Sequence, residues 1–132
     1  MTRREDRRVA IDILYQADVT DASPTSVVTD WRGADRDVPP FADELIVGVA
    51  EKLPDIDLLL ETHAEGWTVR RMASLDRTIL RVGVYELLWR DDVPTSVAIS
   101  EAVEAADELS AADAKRFVNG VLGRIARDEG VA

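Results

Sequence analysis

The stretch from Leu75 to Arg90 constrains the fold of this chain more than any other. Its apolar residues fall in two sets, Leu75, Ile79, Val82 and Trp89, then Leu80, Val84, Leu87 and Leu88. Placed at helical spacing, the two sets cover most of a helix circumference. A helix apolar nearly all round is buried nearly all round, so the other helices are expected to pack against this one. Few polar residues interrupt it: Asp76 and Arg77 near the start, Arg81 one turn on, Glu86 and Arg90 near the end. Asp76 suits the positive end of the helix dipole, and Glu86 with Arg90 has the spacing of an i,i+4 ion pair.

The remaining segments read as helices too. From Arg3 to about Asp18, Val9, Ala10, Ile13, Leu14 and Ala17 repeat at helical spacing. Ser23-Pro24 is an N-cap followed by proline at the first helical position, opening a short helix to about Trp31. Helices are expected from Pro40 to Lys52 and, beyond a break or kink at Pro54, from Pro54 to Ala64, with Gly66 as the stop. Ser74 is the expected cap of the central helix. Pro94 breaks the chain before a helix from Thr95 or Ser96 to about Leu109, and Ser110 opens a last helix with Phe117, Val118, Val121, Leu122 and Ile125 inward. Gly83, Gly120 and Gly123 lie inside helices, where glycine costs about 1 kcal/mol against alanine, and are expected to mark close helix crossings. No strand is evident. The expectation is an all-α fold of about seven helices in two small bundles: one domain, 1–132, with subdomains of about 1–66 and 67–132.

Composition narrows the function. With 132 residues and no cysteine, the chain can bury a core without disulfides and offers neither a thiolate zinc site nor a cysteine nucleophile. Its six serines have a single histidine, His63, to serve them, and none sits in a nucleophile-elbow context. His63, near a helix end, reads as a partner of the helix dipole. There is no phosphate-cradling glycine loop, and no carboxylate cluster at metal-ligand spacing. No segment reads as a membrane span or a secretion signal, so a cytoplasmic protein is expected, without cofactor or metal. A binding protein fits better than an enzyme.

The formal net charge of −10 opposes indiscriminate attraction to nucleic acid, but the charge is uneven. Arg3, Arg4, Arg7 and Arg8 crowd the first two turns of the first helix, where cations oppose the dipole, and Tyr15 sits at the rim of its buried face. Near the last helix, Asp113, Lys115 and Arg116 precede Phe117; cations beside an aromatic ring are what single-stranded RNA uses.

Five motifs stand in order along the chain: Leu75-Asp76-Arg77-x-Ile79-Leu80-Arg81, Tyr85-Glu86-Leu87, Val93-Pro94, Ile99-x-Glu101-Ala102-Val103-Glu104-x-Ala106 and Phe117-Val118-Asn119-Gly120-Val121-Leu122. Together they resemble the NusB family of transcription antitermination factors. The match is close from about Trp67 to Leu122 and looser over the first helix. The resemblance implies two three-helix-like bundles. It also implies binding of boxA RNA in nascent ribosomal RNA transcripts together with NusE, a ribosomal protein of the small subunit, in the RNA polymerase elongation complex. By position, Arg3, Arg4, Arg7, Arg8, Tyr15, Asp113, Lys115 and Phe117 would meet RNA, and Asp76 with Arg77 the NusE partner. Some members form homodimers, so self-association is left open. The other reading is a helical interaction module with no significant RNA binding of its own.

Overall fold

The computed structural model describes residues 2–131, so both ends of the expected 1–132 span lie outside them. Every element among the described residues is helical: α1 (Arg3–Thr20), α2 (Pro24–Gly33), α3 (Pro40–His63), α4 (Ser74–Trp89), α5 (Thr95–Leu109) and α6 (Ala114–Asp128), with a 3-10 turn at Val69–Arg71 before α4. None is long and apolar enough to cross a membrane.

Local chemistry sets the starts. Thr2 and Glu5 form a capping box on α1: the Thr2 side chain accepts from the Glu5 N–H, and the Glu5 carboxylate accepts from the Thr2 N–H. Ser23 caps α2 with Pro24 at its first position. Two expected caps are displaced. Ser74 lies inside α4, behind Ala73, and Ser110 closes α5 while α6 begins at Ala114.

Among the described residues there are six α-helices and not seven, because the segments on either side of Pro54 form one helix of 24 residues. Proline removes one backbone N–H, which orphans the carbonyl one turn back, here on Ala50. Pro54 and Ala50 are both exposed, so water can satisfy that carbonyl and the helix continues.

α4 is the element the others surround. It packs against α1, α3, α5 and α6, and one apolar cluster runs through both halves of the chain. Ile79, Leu80, Val82, Val84 and Leu87 are buried, and Leu75, Leu88 and Trp89 are partly buried against them. Gly83 is a true crossing: a Cβ there would lie 2.9 Å from a Leu122 methyl. Gly48, on α3, is tighter still, since a Cβ would sit 2.0 Å from the Tyr85 ring. Gly120 and Gly123 are not crossings. A Cβ at either would meet only an arginine side chain of α6 itself.

The expected pair of Glu86 with Arg90 does not form. Glu86 turns inward to Arg7, and Arg90 bonds Glu44 and Asp92 instead.

Candidate nucleic-acid interface

The packing of α1 on α4 decides what its four arginines can do, because α4, α5 and the turn between them present carboxylates to all four. Arg3 lies 2.7 Å from Asp92 and stacks over the Phe41 ring at 4.2 Å. Arg4 lies 3.1 Å from Glu101, and Arg8 lies 3.1 Å from Glu108. Arg7 is the inner member. Its Nε and Nη2 donate to both Glu86 oxygens at 2.8–3.0 Å, and Nη1 reaches Glu101 at 3.4 Å. Both partners are enclosed, with 8% and 2% of their side chains exposed. Burial pulls the Arg7 pKa down, but the hydrogen bonds and charge of Glu86 outweigh it and hold the group above its ordinary value. Arg7 is thus a strut between α1 and α4. Arg3 and Arg4 reach solvent, but from within ion pairs.

Tyr15, half-exposed, lines a groove of about 440 Å³ with Arg8, Asp12, Leu75, Glu108 and Leu109. A second groove, of about 510 Å³, borders the same N-terminus of α4. Trp67, Arg71, Met72, Asp76, Asp113 and Phe117 line it, over small alanines. Two segments distant in sequence, 67–76 and 111–117, therefore bring Asp76, Asp113 and Phe117 together. Trp67 is 47% exposed and meets Phe117 edge to face, with ring centroids 6.2 Å apart. Asp76 accepts a short hydrogen bond from the Ser110 hydroxyl, which ties α4 to the end of α5. Asp113 stands at the N-cap of α6 but makes no side-chain capping bond.

Two expected residues point elsewhere. Lys115 leaves the groove for Asp107 on α5, at 3.3 Å. Arg77 donates to Asp18 at 2.7 Å and to the Val69 and Met72 carbonyls, bracing α4 against α1 and the 3-10 turn. Sequence reasoning passed over Trp67 and Arg71 because they fall in a connection between helices. An arginine doublet, Arg70-Arg71, three residues from an exposed tryptophan was the available signal. Neither arginine pairs with a carboxylate among the described residues.

His63 is buried where α3 ends. Its Nδ1–H donates to the Leu59 carbonyl at 2.8 Å, Nε2 lies 2.8 Å from the Asp128 carboxylate, and Arg124 donates to its backbone carbonyl. It joins the ends of α3 and α6. Among the described residues, no group of three His, Asp or Glu side chains could hold a metal ion.

The sequence and the fold are both similar to those of known proteins. The NusB family model matches residues 4–127. The transcription antitermination protein NusB of Saccharopolyspora erythraea is 49% identical over 94% of this chain and 86% of its own length. That of Thermobifida fusca is 48% identical over 94% and 88%. A solved structure of T. maritima NusB superposes with a TM-score of 0.88 at 32% identity, covering 97% of this chain and 92% of that one. A solved complex of antitermination factors NusB and NusE with dsRNA contains a chain with a TM-score of 0.82 over 97% of this chain and 99% of its own; its 24% identity speaks for the fold alone. With a family model spanning nearly every helix and relatives this near over most of their length, the chain belongs to the NusB family of transcription antitermination proteins.

Proposed function

We propose that this cytoplasmic protein binds boxA-type single-stranded RNA of nascent ribosomal RNA transcripts together with NusE, and that the complex helps RNA polymerase read through terminators. The observation that carries the reading is the groove at the start of α6. It combines the Trp67–Phe117 aromatic pair, partly exposed so that unstacked bases can lie on it, with Arg71 at its wall, a cation that pairs with no carboxylate among the described residues. Asp113 and Lys115 flank that surface. Asp76, on the border between the two grooves, is the residue assigned to the basic NusE partner, with Arg77 holding its helix in place. Arg3, Arg4 and Arg8, with Tyr15, extend the RNA surface once the incoming phosphates compete with their carboxylate partners for the guanidinium groups. Arg7 supports that surface from below. NusB and NusE have been solved together with RNA on this fold, which supports the pairing of partners.

A second reading is favoured by one observation, the complete internal pairing of the α1 arginines: a helical interaction or self-association module with little RNA affinity of its own. A fluorescence titration with boxA-like RNA and a scrambled control, with and without NusE and at two salt concentrations, separates the two. Selective binding that strengthens with NusE and weakens with salt is expected. NusE binding or self-association without RNA binding would establish the module instead.

A further inference from the structure

We propose that the exposed face of α6 is a phosphate track, which carries the RNA backbone away from the Trp67–Phe117 groove toward the C-terminal end of the helix. This rests on the RNA-binding reading above and adds a site to it.

Charge is the first observation. Between Ala114 and Arg127, α6 holds Lys115, Arg116, Arg124 and Arg127 and no carboxylate, in a chain whose net charge is −10. Arg116 and Arg127 are exposed and pair with no carboxylate among the described residues. Such a local surplus on an acidic body attracts a polyanion at one place and repels it elsewhere.

Alignment is the second. At 100° per residue, Arg116, Gly120, Gly123 and Arg127 fall within about 60° of one another, along a line of about 16 Å at 1.5 Å rise per residue. Arg116 starts that line beside Phe117 at the groove. The two glycines in the middle have no packing role, since no other helix approaches them. The guanidinium groups of the following turn fold back over the glycines at ordinary contact distance: Nη1 of Arg127 sits 3.5 Å from where a Gly123 Cβ would be, and Nη1 of Arg124 is 3.4 Å from the same point at Gly120. The result is a cationic strip, lined by arginine side chains, that leads away from an aromatic platform. A single strand that stacks its bases at the groove would lay its phosphates along it.

The test uses the full chain with NusE and two RNAs of the same core, one ending at the boxA-like segment and one extended by several nucleotides on either side. The wild-type protein is expected to bind the extended RNA more tightly and with a steeper salt dependence. The double variant Arg116→Gln/Arg127→Gln should lose that advantage, and its slope of log affinity against log salt should fall by about 1.4, at about 0.7 per phosphate contact on a single strand. Arg127→Gln alone, at the far end of the helix from the groove, should keep affinity for the short RNA within a few fold and lose part of the extended-RNA advantage, whereas Phe117→Ala weakens both RNAs. Arg32→Gln, exposed on α2, is the control for net charge. A double variant that binds extended RNA with wild-type affinity and slope overturns the track, as does one that loses only NusE or anionic vesicle binding. Absence of any RNA binding by the wild-type complex overturns the RNA reading itself, and the track with it.

Discussion

The first helix and the last carry four cations each, yet they meet different surroundings. Arg3, Arg4, Arg7 and Arg8 of α1 face Asp92, Glu86, Glu101 and Glu108, contributed by α4, α5 and the turn between them. Of Lys115, Arg116, Arg124 and Arg127 on α6, only Lys115 pairs with a carboxylate among the described residues. Formal charge is a property of the sequence, whereas displayed charge depends on what other elements bring within a few ångströms. In α1 the cations oppose the dipole of their own helix, and the carboxylates opposite them are what make that arrangement stable. In α6 the cations are spread along the helix; Arg124 bonds the His63 carbonyl, while Arg116 and Arg127 are exposed. One region uses all its arginines to hold helices together, and the other leaves two of them at the surface.

The largest expected effect breaks that contrast at its most buried point. Arg7→Ala would leave Glu86, with 2% of its side chain exposed, as an uncompensated buried carboxylate. A loss of about 3–5 kcal/mol in unfolding free energy is expected, read from urea denaturation. The double variant Arg7→Met/Glu86→Leu should recover most of it, because an apolar pair replaces the ion pair without a stranded charge. Arg116→Ala on α6 should move stability by less than about 0.5 kcal/mol. If Arg7→Ala cost no more than Arg116→Ala, the two helices would not differ as described.

How much of this was legible beforehand follows the same division between local and distant causes. The central burial of α4 was readable because apolar residues all round a helix leave few alternatives. So was the close crossing at Gly83. The continuity of α3 was not, because the rule that proline breaks a helix depends on whether the orphaned carbonyl reaches water, and the exposure of Ala50 is a tertiary fact. The partner of Glu86 was misread for a similar reason. Arg90 has the right local spacing, but Arg7, 79 residues away in sequence, has the shorter reach in space. Gly120 and Gly123 read like Gly83 in sequence and differ only in what packs on them. For the interface, Asp113 and Phe117 were accessible through their motif, but Trp67 and Arg71 reach them only through the fold.

A smaller effect is expected at the exposed end of α1. Arg3→Gln and Arg4→Gln each remove a pair partly open to solvent and should each cost under about 1 kcal/mol. Phe41 keeps Arg90 and Arg7 near its ring when Arg3 is lost, at 5.2 and 5.3 Å. These penalties should shrink further in 1 M salt, where the screening length drops to about 3 Å, while the Arg7→Ala penalty largely persists. Chemical denaturation of the three variants in urea at low and high salt checks the ranking. A large, salt-insensitive cost at Arg4 would mean that the cluster acts as one buried unit rather than as a core strut with a solvated rim.

The smallest expected effect is a pH dependence confined to the α1 side. Asp92 accepts hydrogen bonds from Arg90 and from Arg3, and these hold its carboxyl well below the usual carboxylate range. A carboxyl with a depressed folded-state pKa stabilises the fold above its unfolded value of about 3.9, and this contribution is lost as pH falls from there through the folded pKa. Because nearly half of the Asp92 side chain is exposed, solvent screening limits the contribution to a few tenths of a kcal/mol. Melting temperatures of the wild-type chain and Asp92→Asn should therefore differ slightly at pH 6 and converge as the pH is lowered past 4. Arg116→Gln should run parallel to the wild type over the same range, since no carboxylate among the described residues depends on it. Convergence in Asp92→Asn with a parallel Arg116→Gln curve would place the titrating carboxylate on the α1 side, where the cations are bound within the fold. A gap that stayed open in Asp92→Asn at low pH would show that the aspartate acts through its shape and not its charge. The acid sensitivity of the α1 side would then have to come from Glu5, whose carboxyl is held below its ordinary value by hydrogen bonds from the Thr2 backbone and side chain.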